Sequence, residues 1–149
     1  MNECIFCKIV KGEIPCFKIL ENDNFMAILD IQPNCEGQTL VISKKHYPSY
    51  VFDLPEDVYH EMLDFIKLVI DLLKNKLQVQ RVGMIVEGMG VNHAHVKLYP
   101  MHGLSNEWQA GEKQEEKFYK TYPGFLTSAT GMKADVDELK RIYEKLLTK

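Results

Sequence analysis

The chain has 149 residues, 46% apolar and 26% charged, an ordinary balance for one folded domain, 1–149, with a sizeable core. Its formal net charge of −3 supplies no global field for nucleic acid or for an acidic membrane surface. The opening Met1-Asn2-Glu3-Cys4 has no basic or long apolar region, and the longest apolar stretch is broken by Asp64, Lys67 and Asp71, so neither export nor membrane crossing is expected. The cysteines Cys4, Cys7, Cys16 and Cys35 are therefore expected as thiols in a reducing, cytoplasmic compartment.

Cys4 to Lys11 suggests one compact helical turn. Phe17–Glu21 and Phe25–Asp30 read as strands joined at the polar cluster Glu21-Asn22-Asp23-Asn24, a hairpin. Pro33 to Gly37 is a turn, and Thr39–Ser43, rich in β-branched residues, a third strand. A long helix is expected from about Asp53, where Asp53 and Glu56 have capping-box spacing around Pro55, to about Leu77. Val58, Met62, Phe65, Ile66, Val69, Leu72 and Leu73 recur in it at helical spacing and mark a core face. Arg81–Glu87 is a fourth strand, Gly88-Met89-Gly90 a loop, and His93–Tyr99 a fifth strand stopped by Pro100. Beyond Leu104 the pattern weakens to loop, with a short helix around Glu112–Lys120, until Val136, Leu139, Tyr143, Leu146 and Leu147 give a last amphipathic helix. The fold class is α+β: a five-stranded antiparallel sheet with a long helix and a C-terminal helix.

Chemistry concentrates on the fifth strand. With a period of two, His93, His95, Lys97 and Tyr99 share one face, and Ala94, Val96 and Leu98 face the core. Two imidazoles and an ammonium suit a phosphate: lysine brings a point charge with three donors, and a neutral imidazole can attack phosphorus. Glycines at 88 and 90 let backbone N–H groups approach oxyanions. A solvent-facing edge strand would explain the alternation alone, but not the glycine-rich approach to it.

His93-Ala94-His95-Val96-Lys97-Leu98-Tyr99-Pro100 resembles the histidine triad (HIT) motif. Cys4-Ile5-Phe6-Cys7-Lys8-Ile9 is similar to the opening of that family. Leu29-Asp30-Ile31-Gln32-Pro33 and Gly37 to His46 are similar to its ribose-binding and third-strand segments. The match runs in order from about Cys4 to Leu104. The resemblance implies a two-fold homodimer with one continuous sheet. It also implies hydrolysis or transfer at the α-phosphorus of purine nucleotides, nucleoside phosphoramidates or dinucleoside polyphosphates, through a nucleotidyl-histidine. It makes His95 the catalytic nucleophile and Asp30 the ligand of the ribose hydroxyls. Ile5, Phe6, Ile9, Leu29 and Ile31 become the apolar surround of the base. The chain departs from the motif where Lys97 stands for the third histidine. It departs again where Met89 and Gly90 occupy the positions of a Gln-Ser pair that holds phosphate and leaving group.

Cys4-x-x-Cys7 is also a ligand-spaced pair. The same resemblance adds His46 and His93, a set of four for a structural zinc that would clip the N-terminal segment to the sheet. Cys16, Cys35 and His60 are expected to be ordinary residues, His102 a loop histidine within reach of phosphate, and Trp108 a packing residue. Two other readings stand beside the enzyme: a nucleotide-binding module without catalysis, and a zinc-stabilised scaffold.

Overall fold

The computed structural model describes residues 4–107, 117–127 and 133–147. The chain divides into two compact units, Met1–Trp108 and Gln109–Lys149. The first holds α1 (Ile5–Val10), β1 (Lys18–Glu21), β2 (Phe25–Leu29), β3 (Thr39–Ser43), α2 (Glu56–Leu77), β4 (Val82–Ile85) and β5 (His95–Pro100). All the strand pairs are antiparallel and the sheet order is β1-β2-β3-β5-β4.

Local chemistry sets the element ends. Asn22 closes the β1–β2 hairpin, its Oδ1 accepting from the N–H groups of Asn24 at 3.0 Å and Phe25 at 2.7 Å. The expected capping box of α2 does not form. Asp53 lies in a 3-10 turn over Val51–Asp53, Leu54 is extended at ψ 150°, and the helix starts at Glu56 after Pro55 with no side-chain cap. The ring of Pro55 crowds the residue before it out of the helical region, which separates Asp53 from the helix. α2 ends at Gln78, whose φ of 55° is left-handed. β5 begins two residues later than expected, because the N–H groups of His93 and Ala94 donate to the carbonyls of Val91 and Tyr47.

Strand alternation gives the sheet two different faces. Phe25, Ala27, Val41, Val96 and Leu98 lie on one, buried under Met62, Phe65, Ile66, Val69 and Leu73 of α2. Each large side chain on that face contributes about 1.5–3 kcal/mol through burial. The opposite face is built in rows across the strands. Met26, Ile42 and His95 are register partners in the first row, and Ile28, Leu40, Lys97 and Ile85 in the second. Asp30, Gln38 and Tyr99 continue the alternation into a third. α1 covers only part of this face, through Phe6, which packs with Met26, Ile28 and Ile42.

The second unit contains α3 (Val136–Leu147). Asp135 starts it, its Oδ1 accepting the N–H of Asp137 at 2.9 Å. Residues 117–120 of the expected helix over Glu112–Lys120 are not helical; the rest of that segment, and Trp108, lie outside the described residues. Among the described residues no helix is long and apolar enough to cross a membrane.

Candidate functional site

The donor atoms of Cys4, Cys7, His46 and His93 converge, all within 4.8 Å of one another. His93 Nδ1 lies 3.3 Å from Cys4 Sγ, 3.5 Å from Cys7 Sγ and 3.2 Å from His46 Nδ1, and Cys7 Sγ lies 3.3 Å from His46 Nδ1. With Zn–S near 2.3 Å and Zn–N near 2.0–2.1 Å, a tetrahedral site has ligand–ligand edges of about 3.3–3.8 Å. Two sulfurs and two nitrogens at these separations fit zinc. The far side of His93 fits as well. Its Nε2–H donates to the Ser43 carbonyl at 2.7 Å, which leaves Nδ1 as the lone pair aimed at the cluster. Burial holds this imidazole below its ordinary pKa, opposed by the Ser43 carbonyl and helped by His46 and His95, and the neutral form is the one a metal takes.

His93 also orients the next polar residue of the strand. Its carbonyl oxygen lies 2.7 Å from His95 Nδ1. A carbonyl only accepts, so Nδ1 carries a proton, and in the neutral imidazole the lone pair is on Nε2. His95 is 4% exposed, with the Phe6 ring set edge-on at 5.5 Å between centroids. Phe6 touches His93 in the same way at 5.7 Å. Phe6 is thus a buried wedge that fixes both imidazoles.

Lys97, half-buried, pairs with the Glu87 carboxylate at 3.5 Å. Tyr99 stands at the far end of the face, and burial, then the charges of Asp30, Glu87 and Cys35, push its phenol pKa up, so it stays protonated. Asp30 is held on both oxygens: Gln32 N–H donates to Oδ1 at 2.9 Å, and the Gln38 amide donates to Oδ2 at 2.6 Å.

The remaining expected residues divide. Ile9 is half-buried on α1, while Ile5 and Ile31 remain exposed apolar groups at 45% and 81%. Leu29 is not brought to this face. One residue before Asp30, it points the other way and lines a cavity with Ile19, Leu72, Leu73 and Leu77. Met89 is exposed, and Gly88 and Gly90 both have positive φ, at 70° and 86°. His102 Nε2–H donates to the Glu36 carbonyl at 2.9 Å. Lys44 pairs with Glu21, Lys45 lies over the Tyr47 ring, and His60 is exposed on α2. Burial raises the pKa of the Cys35 thiol, which favours the protonated form. Gln38, Ser43 and Glu87 were not legible as site residues.

A HIT domain model matches residues 11–106. The chain belongs to the HIT family. An uncharacterized HIT-like protein of Methanocaldococcus jannaschii is 37% identical over 102 residues, covering 65% of this chain and 78% of that one. The adenosine 5'-monophosphoramidase of Saccharomyces cerevisiae is 32% identical over 148 residues, covering 98% of this chain and 82% of the yeast protein. The crystal structure of a zinc-bound histidine triad family protein from Mycobacterium smegmatis superposes with a TM-score of 0.63 at 29% identity, over 68% of this chain and 76% of that one. The α+β fold with a five-stranded antiparallel sheet is that of the family.

Proposed function

We propose that this HIT protein is a hydrolase of purine nucleotides that acts at the α-phosphorus, with nucleoside phosphoramidates and dinucleoside polyphosphates as its substrate classes. The observation that carries the reading is the 2.7 Å contact of His95 Nδ1 with the His93 carbonyl, which fixes the Nδ1–H tautomer and leaves Nε2 as the attacking atom. The yeast relative's activity as an adenosine 5'-monophosphoramidase supports the substrate class.

In this mechanism the Nε2 lone pair of His95 forms a bond to phosphorus, and the bond to the leaving amine or phosphate breaks. Water then attacks the nucleotidyl-histidine, and the electron pair of the N–P bond returns to Nε2. Lys97 and the backbone N–H groups around Met89 and Gly90 hold phosphoryl oxygens, each good donor contributing about 3–4 kcal/mol to the transition state. Asp30 binds the ribose hydroxyls, and Ile5, Ile9 and Ile31 offer apolar surface to the base. Cys4, Cys7, His46 and His93 would hold a structural zinc, whose contribution is to tie α1 and His93 together. Thiolate ligands suit a reducing cytoplasm.

A two-fold homodimer with one continuous sheet completes the proposal, and light scattering should give twice the chain mass of 17.3 kDa. The deciding test is hydrolysis of adenosine 5'-phosphoramidate by wild type and His95→Ala, with mass spectrometry of the quenched reaction. Turnover lost in the variant and an adenylate adduct on His95 in the wild type are expected. Wild-type turnover by His95→Ala would refute the mechanism. Nucleotide binding without any turnover would instead make the protein a binding module.

A further inference from the structure

Asp30 stands in the third row of the open face, beyond Lys97, and the nucleotide reading above assigns it the sugar. A carboxylate that captures a vicinal diol must present one lone pair of each oxygen at a fixed angle. Nothing in aspartate itself imposes that angle, since its carboxyl group turns readily. In this chain the angle is imposed by Gln32 and by Gln38, the residue just before β3.

Gln38 is 5% exposed, and each of its polar groups is committed. Asn34 N–H donates to its Oε1 at 2.8 Å. An N–H must meet the carbonyl end of the amide, so this bond decides which way the amide faces and turns the NH2 toward Asp30. Nε2 then donates to Asp30 Oδ2 at 2.6 Å. The main chain repeats the link: Asp30 N–H donates to the Gln38 carbonyl at 2.9 Å, and Gln38 N–H to the Cys35 carbonyl at 3.2 Å. With Gln32 N–H on Oδ1 at 2.9 Å, each carboxylate oxygen has one partner and keeps one free acceptor site.

We infer that Gln38 is the positioning residue of the sugar subsite, holding the Asp30 carboxylate as a preformed two-point acceptor and so making the site selective for ribonucleotides over 2'-deoxyribonucleotides. The inference rests on the proposed nucleotide hydrolysis. A ribose offers two hydroxyl donors to the two free acceptor sites, and a 2'-deoxyribose only one. The second bond is formed only if both oxygens are already in place. When the carboxylate has to be ordered on binding, that cost falls on the diol and erodes its advantage.

The test compares kcat/KM for adenosine 5'-phosphoramidate and its 2'-deoxy counterpart in wild type, Asp30→Ala, Gln38→Ala, Gln38→Glu and the Asp30→Ala/Gln38→Ala double variant, with melting curves for each. The wild type should prefer the ribose substrate by at least about tenfold, the scale of one hydrogen bond to a charged group. Gln38→Ala should lose most of that preference, through a rise in KM for the ribose substrate that exceeds any rise for the deoxy substrate. The double variant should be no worse than Asp30→Ala.

Gln38→Glu separates positioning from plain structure. At neutral pH two facing carboxylates repel, and selectivity should be lost. Toward pH 5 they can share a proton that restores the bond, and the ribose preference should return. Taking the ratio of the two sugars cancels the pH dependence of the chemistry itself. An unchanged ratio in Gln38→Ala, a multiplicative loss in the double variant, or no return of selectivity in Gln38→Glu at low pH would each overturn the inference. Wild type inactive on both sugars would overturn the parent reading, and this one with it. Active wild type without sugar preference would overturn this one alone.

Discussion

If Cys4, Cys7, His46 and His93 hold the proposed zinc, chelating it should cost both stability and turnover, and the two losses have separate causes. α1 has six residues, far below the length at which a helix holds itself in water, and Phe6 is its one buried side chain. Burial of that ring contributes about 1.5–3 kcal/mol, which has to order the whole segment from Cys4 to Gly12. Four ligands from three distant parts of the chain supply the rest. Zinc at about a thousand times its Kd stabilises by about 4.1 kcal/mol. For a chain of this size that corresponds to a fall in Tm of about 8–16 °C on chelation. Metal content after purification without added zinc, followed by melting with and without chelator, measures it. One zinc per chain is expected, and Cys4→Ser or Cys7→Ser should reproduce the chelated Tm while Cys35→Ser should not. Turnover should fall about tenfold or more even well below the new Tm, because the carbonyl of the ligand His93 holds the His95 tautomer at 2.7 Å. A chelated protein with unchanged Tm would refute the structural zinc. A lower Tm with undiminished turnover in the cold would refute the coupling of His93 to His95.

Lys97→Met should lower kcat/KM by about a hundredfold, as for loss of one transition-state donor, while Glu87→Gln, which leaves the ammonium in place, should cost less than about tenfold and change stability by less than about 1 kcal/mol. Steady-state kinetics on one phosphoramidate reads both. The carboxyl of Glu21 falls from its ordinary value of 4.5 to about 2 through its bonds to Lys18 and Lys44. A lowered folded pKa gives stability that is present above about pH 4.5 and lost as pH falls through about 2. The Tm deficit of Glu21→Gln at neutral pH should therefore shrink steadily from about pH 4.5 toward about pH 2, and shrink in about 1 M salt because the pairs are exposed. Gln78→Gly should raise stability by about 1 kcal/mol in denaturant melts, since Gln78 is the one non-glycine with positive φ among the described residues.

What the sequence made legible were features with a period. Alternation over His93–Tyr99 sorted the two faces of β5 before any coordinates, and the helical spacing from Met62 to Leu73 identified the face of α2 that covers the sheet. The metal cluster was legible only through family resemblance, because His46 and His93 lie too far from Cys4 and Cys7 in sequence for spacing to join them. Boundaries failed where two local preferences competed. The capping-box spacing at Asp53 and Glu56 was sound, but Pro55 acts on the residue before it, and that steric effect decided the helix start. Partners supplied across strands were invisible. Gln38 reads as an unremarkable turn residue until β2 and β3 pair, and Glu87 meets Lys97 only because the chain after β4 runs back beside β5.

The row structure of the open face bears on the size of ligand it takes. Rows along a strand lie about 6.6 Å apart and neighbouring strands about 4.8 Å. From His95 in the first row of β5 to Asp30 in the third row of β2 is therefore about 13 Å along the strands and about 10 Å across two of them. The imidazole and the carboxylate reach into that gap from both ends. What is left between Nε2 and the carboxylate oxygens suits a phosphorus joined through one methylene to a sugar diol. Lys97 lies in the intervening row, where the phosphoryl oxygens would fall. On the proposed mechanism, His95, Lys97 and Asp30 on three successive rows would together span one nucleoside 5'-phosphate unit, with the leaving group free to vary.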